Sequence, residues 1–182
     1  IEQTYCYDYY ARTGNWQKII DHAGKHPVKD LNALVYLNLA LSHTNQLGNR
    51  QFDFPQAGVS GLIPQDPVTR LDLIAASEVA WQIGHINSSQ RYAFVGVLSS
   101  ERRVQSRLMT RLVETYLVNE EYGAAQKYIT ILENTLFYRD WARKMRGVLT
   151  EDTAGKTPWI TEKRKVNVVT DNPFDPAKAL PN

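Results

Sequence analysis

The chain has 182 residues, 21 basic against 19 acidic, for a formal charge of +2. Its 43% hydrophobic and 22% charged residues, with ten glycines and eight prolines, exclude collagen-like, low-complexity and wholly disordered classes and leave room for a sizeable core. The near-zero net charge makes no general case for nucleic acid or an anionic membrane, and the one cysteine, Cys6, rules out an internal disulfide framework.

The chain opens at Ile1 and runs into Tyr5, Cys6, Tyr7, Tyr9 and Tyr10. No basic stretch leads into an apolar run, so no signal peptide is expected. The non-Met start leads to the expectation of a piece of a longer or processed protein. Tyrosines crowd a first helix, whose exposed face is a candidate surface for homodimerisation. No run reaches the ~18 apolar residues of a membrane span, so this portion is expected to be soluble.

Beyond the first helix a period emerges. Gly14, Gly48 and Gly84 stand in similar surroundings, and Glu120 has the same context without glycine, at spacings of 34, 36 and 36. Apolar residues at helical spacing precede each later point: Leu34, Leu37 and Leu41, then Leu73, Ala76 and Ala80, then Leu108, Leu112 and Tyr116. Each point marks where a helix must stop and the chain must turn. A second helix follows in most units: Trp16 to Ala23, ended by Pro27; a stretch around Tyr92 to Val97; and Tyr122 to Leu132. The expected fold is all-α, a stack of helix hairpins each burying one face on the next.

Gly14-Asn15-Trp16-Gln17-Lys18-Ile19 and Tyr116 with Glu121-Tyr122-Gly123-Ala124-Ala125-Gln126-Lys127-Tyr128 resemble the tetratricopeptide-repeat family over roughly residues 5 to 147. The resemblance implies a right-handed α-solenoid of about four hairpins over residues 1–149, turning near 14, 48, 84 and 120. Unit two departs most from the pattern. Between Phe52 and Pro67, three prolines with Gly58 and Gly61 cannot hold a regular helix. A loop is expected there, its Phe52, Phe54, Leu62 and Ile63 plugging the gap, with partner binding as the alternative role. Leu37-Asn38-Leu39-Ala40-Leu41, Phe52-Asp53-Phe54-Pro55-Gln56 and Leu136-Phe137-Tyr138-Arg139-Asp140-Trp141-Ala142 look like the soluble helical region of an uncharacterised family of bacterial multi-spanning membrane proteins. That likeness implies a membrane-associated parent, with the periplasm as one candidate side, and no activity.

Past Leu149 the apolar period fades. Residues 150–182 are expected to form an irregular arm or linker, extended near 163–170, packing on the helices through Trp159, Ile160 and Phe174.

Motifs for chemistry are sparse. His22 and His26 share a helix face at metal-ligand spacing, but no third ligand is near, so they read as surface or helix-end residues. Ser60 lacks the second glycine of a nucleophile elbow. Asn87-Ser88-Ser89 fits a glycosylation triplet. No phosphate loop occurs, and no catalytic, cofactor-binding or metal residue is expected. Thirteen basic residues against nine acidic fall within 101–165. Some tetratricopeptide proteins clamp a peptide terminus with basic and Asn side chains. By that likeness Asn38, Arg107 and Arg111 are the candidate ligand groove, although Ala75 stands where the clamp has Asn. The competing reading is a salt-bridged helix face with Glu101 and Glu114 as partners.

The expected function is a non-catalytic scaffold binding a protein or peptide, within a larger membrane-associated bacterial protein. The alternative is a regulatory domain of an enzyme whose catalytic part lies outside this chain. A third reading, a metal or hydrolytic enzyme, requires at least three of His22, His26, His43 and His85 to converge with a carboxylate.

Overall fold

A computed structural model describes residues 2–99 and 105–167. Its elements are helices α1 (Glu2–Arg12), α2 (Trp16–Lys25), α3 (Leu31–His43), the one-turn α4 (Leu47–Arg50), two 3-10 turns at Gln51–Asp53 and Gly58–Gly61, α5 (Arg70–Gln82), α6 (Ile86–Leu98), α7 (Ser106–Val118), α8 (Tyr122–Glu133), α9 (Arg139–Arg146), α10 (Glu151–Gly155) and α11 (Pro158–Val166). No strand occurs among the described residues. The chain divides into two compact units, meeting in sequence at Val79 and Ala80.

Four helix–helix junctions repeat one design. Gly14, Asn45, Gly84 and Glu120 all have positive φ, at 68°, 55°, 86° and 65°. At each, the next residue donates its backbone N–H to the carbonyl five residues back: Asn15 to Tyr10 at 2.9 Å, Gln46 to Leu41 at 2.7 Å, His85 to Ala80 at 2.8 Å and Glu121 to Tyr116 at 2.8 Å. The positive-φ residue itself donates to the carbonyl three back. This is the Schellman arrangement, which satisfies the last carbonyls of one helix while starting the next. The second junction falls at Asn45, three residues before the expected Gly48, which lies inside α4. Asparagine tolerates the left-handed region better than other side chains, so it can stand in for glycine there.

The first unit is built around α3. Residues Ala33 to Leu41 are all buried, so this helix is apolar all round rather than on one face. Tyr7 and Ala11 of α1, Ile19, Ile20 and Ala23 of α2, Phe54 and Ala75 join Leu34, Leu37 and Leu41 in one cluster. Val35, Leu39 and Val79 form another, with Ile63 and Trp16 against it. Asp30 caps α3 by accepting from Ala33 N–H at 2.8 Å and also receives the Thr4 hydroxyl at 2.7 Å. Asn32 donates to Asp72 of α5 at 2.8 Å. The loop after α4 is irregular, as the prolines dictate, but only part of it plugs the gap. Phe54 and Ile63 pack inward, whereas Phe52 is 79% exposed and Leu62 41%.

The second unit packs α6 to α9 and α11 around Ile86, Val113, Leu117, Ile129, Leu132, Ala142 and Ile160. The expected arm from residue 150 is instead helical as far as Val166. Thr150 and Thr153 cap each other at the start of α10, and Pro158 occupies the first turn of α11. These local stop-and-start signals, not an apolar period, make the helices. Ile160 is fully buried and Trp159 packs beside it, as expected; Phe174 lies outside the described residues.

Helix α11 is fastened at the ends of α5 and α7. Lys163 donates to the Trp81 carbonyl at 2.7 Å, and Arg164 donates to the carbonyls of Leu117 at 2.9 Å and Val118 at 3.1 Å. Consecutive cations thus sit at two of the repeated turns, where carbonyls and the helix dipole favour positive charge. Among the described residues no helix is long and apolar enough to cross a membrane.

Candidate functional site

The sequence pointed to Asn38, Arg107 and Arg111, of which the fold buries Asn38 and Arg111. Asn38 belongs to the first unit, is 2% exposed, and donates its amide to Gly61 O at 2.9 Å and Gln56 Oε1 at 3.0 Å. It anchors the irregular loop against α3. Arg107 and Arg111 belong to the second unit, on α7. Arg111 is 3% exposed, 2.9 Å from the Glu114 carboxylate, and its guanidinium lies 4.4 Å from the centre of the Trp81 ring. A buried cation held by a carboxylate and an aromatic face serves packing rather than an open groove. Arg107 is half-buried, and Glu101 lies outside the described residues.

The histidines have different surroundings. The ring centres of His22 and His26 lie 4.5 Å apart with the rings tilted by 34°, and the Tyr7 hydroxyl lies 3.0 Å from His22 Nδ1. Burial, then the charge of His26, lowers the His22 pKa; burial pushes Tyr7 up to about 12. His43 instead stacks flat on Trp16 at 4.1 Å, and His85 belongs to the second unit. Among the described residues no cluster of three or more His, Cys, Asp or Glu is arranged to hold a metal.

An opening lies in the second unit, among the described residues. It has a volume of about 410 Å³ and is lined by Asn87, Gln90, Arg91, Phe94, Tyr116, Asn119 and Glu121. Four of these residues come from α6 at positions i, i+3, i+4 and i+7, one face of a helix. Tyr116 and Asn119 come from the last turn of α7 and its end, and Glu121 starts α8. The Schellman turn at Glu120 thus lies between two of the lining residues, Asn119 and Glu121.

Its polar geometry is ordered. Asn119 Nδ2 donates to Asn87 Oδ1 at 3.1 Å and to Gln90 Oε1 at 2.9 Å. Asn167, just past α11, donates to Asn119 Oδ1 at 3.4 Å. With their carbonyl oxygens engaged, Asn87 and Gln90 keep their NH2 groups as donors to the groove. Arg91 adds a cation, Glu121 an acceptor, and Phe94, which is 41% exposed, an apolar wall. Tyr116 stacks on Tyr128, ring centres 5.8 Å apart. Burial and the neighbouring Tyr116 raise the Tyr128 pKa, so the Tyr128 hydroxyl stays protonated near neutrality. The lining suits a chain of amides, with donors, an acceptor and an aromatic wall, and holds no nucleophile–base pair.

The α6 face was open to reading, since Asn87, Gln90, Arg91 and Phe94 sit at helical spacing. Asn119, which orients two of them, is 29 to 32 residues away and gives no local signal. No curated protein and no solved structure matches the chain. One family model does match, over residues 1–180 and hence nearly the whole length. The chain belongs to the family of unknown function DUF6057.

Proposed function

We propose that the chain is a non-catalytic helical scaffold that holds an extended peptide or protein segment in the α6–α7 groove. The observation carrying the proposal is the amide array: Asn119 fixes Asn87 and Gln90 at 3.1 and 2.9 Å, leaving preset donors beside an aromatic wall. Fixed side-chain amides pair with peptide N–H and C=O groups without ordering costs at the moment of binding. The four repeated Schellman junctions support the tetratricopeptide-like reading, in which hairpins stack to display such grooves. The sequence likeness to the soluble region of bacterial membrane proteins extends the proposal to a membrane-tethered parent.

The test is selection of a phage-displayed random peptide library on the purified chain. Enriched peptides should bind Asn119→Ala at least about tenfold more weakly, because that change frees the two amides it orients. Phe52→Ser, on the other unit's loop, should bind as wild type. Failure to enrich any peptide, or equal binding to Asn119→Ala and Phe94→Ala, would sink the reading.

A further inference from the structure

The connection between α8 and α9 presents two adjacent bulky apolar side chains to solvent, Leu136 at 80% and Phe137 at 88% exposure. Neither belongs to the groove. A single exposed apolar residue is ordinary; two neighbours this bare, on a turn, form a protruding apolar tip.

The helix that follows is cationic on its outer side. In α9 Ala142 is fully buried, and Trp141 and Met145 pack against the core. Arg139, Asp140, Arg143 and Lys144 are exposed, at i, i+1, i+4 and i+5 on the face away from Ala142. The one acidic member does little to neutralise this face: Asp140 lies 3.8 Å from Arg143, with both side chains mostly solvated. Arg146 is occupied elsewhere, by Glu133 at 2.6 Å, and Arg139 Nε donates to the Glu133 backbone carbonyl at 3.3 Å, so Arg139, Arg143 and Lys144 carry the solvent-exposed positive charge of this face.

We infer that this tip and the outer face of α9 dock on an anionic lipid surface. Leu136 and Phe137 enter the acyl boundary, while the three cations keep their charged ends among the headgroups. The charge pattern decides the occupant. An apolar tip this exposed, followed in the chain by three cations on long, flexible stems, matches a deformable, negatively charged interface. A protein partner would require a pocket shaped to the tip. Because both apolar side chains are already outside the core, insertion needs no unfolding. The inference is independent of the peptide groove, and it assigns membrane contact to this segment itself rather than to any anchor elsewhere in a parent protein.

The test is flotation of the full chain with phosphatidylcholine vesicles, with and without phosphatidylserine. Wild type should float with the phosphatidylserine vesicles at low salt, fall away at high salt, and stay with the soluble fraction when the lipid is pure phosphatidylcholine. Leu136→Ser with Phe137→Ser should lose more than about tenfold in partitioning. Arg143→Ala with Lys144→Ala should lose roughly 25-fold, about fivefold per cation. Thermal melts should match wild type in both, since all four side chains are exposed, and Asn119→Ala should float as wild type. The inference is overturned if wild type does not float with phosphatidylserine, if it floats equally without it, or if the variants float unchanged. It is also overturned if sedimentation reveals a dimer that Leu136→Ser with Phe137→Ser dissolves, which would give the tip to a second copy.

Discussion

His22 shows how one side chain can link burial to pH. Its ring faces the Tyr7 hydroxyl and lies beside His26, and burial, then the charge of that neighbour, lowers its pKa in the folded chain. The unfolded chain therefore takes up a proton first as the pH falls. The folded state is favoured fully where both forms are neutral, above the ordinary histidine value, and loses ground as pH drops through and below it. His85, also lowered by burial, acts with the same sign. The urea midpoint should fall between about pH 7.5 and about pH 5.5, and His22→Gln should flatten part of that fall. A slope unchanged by His22→Gln would show that its titration is not linked to folding. At this scale the sequence was read well where chemistry is local and poorly where it depends on burial. His22 and His26 were rightly paired on one face. Asn38 and Arg111 were taken for groove residues by likeness to a peptide clamp whose basic and Asn side chains face an open groove, whereas here both are buried. The exposure of a helix face is set by the other elements packed around it, which neighbouring residues do not encode.

Among the elements, the turns were legible and the terminal helices were not. The period of glycines located three of four junctions, including the one at Glu120 where glycine is absent. Gly48 drew the second junction away from Asn45, since glycine is the commoner residue at a left-handed helix end. Helices α10 and α11 escaped because they are short and follow no long apolar period; their caps at Thr150 and Pro158 were the available signal. Two glycine turns differ in a way that can be measured. A Cβ on Gly14 would meet open space, so Gly14→Ala should cost about 1–2 kcal/mol for the positive φ alone. A Cβ on Gly84 would lie 2.5 Å from the Val166 carbonyl oxygen. That atom is backbone at the end of α11, so relief requires moving the helix. Gly84→Ala should therefore destabilise clearly more than Gly14→Ala in urea denaturation. Equal losses would show that α11 gives way without resistance.

Over the whole molecule, protection should follow burial rather than helix length. Helices α3 and α7 each have nine buried residues and serve as the central elements of their units. Their amides should be among the slowest to exchange with deuterium. Residues 51–69, with only short 3-10 turns and several exposed apolar side chains, should exchange fastest among the described internal segments. Comparable protection of the loop and α3 would contradict this ordering. The all-α class was legible from apolar spacing throughout, because that signal accumulates over many residues. The division into two units was not, because α5 supplies Ala75 and Val79 to one core and Trp81 to the other while reading as an ordinary helix.

The four junctions also have a stereochemical consequence. At Gly14, Asn45, Gly84 and Glu120 the chain briefly takes the backbone hand that suits a mirror-image amino acid. Gly14 and Gly84 are achiral and indifferent to it, whereas Asn45 and Glu120 hold an L-configuration against the local preference. A D-residue introduced by chemical ligation at either place would match the backbone that its natural counterpart resists. At Asn45 and Glu120 the turn is thus made against the handedness of a single α-carbon, and at the two glycines without any.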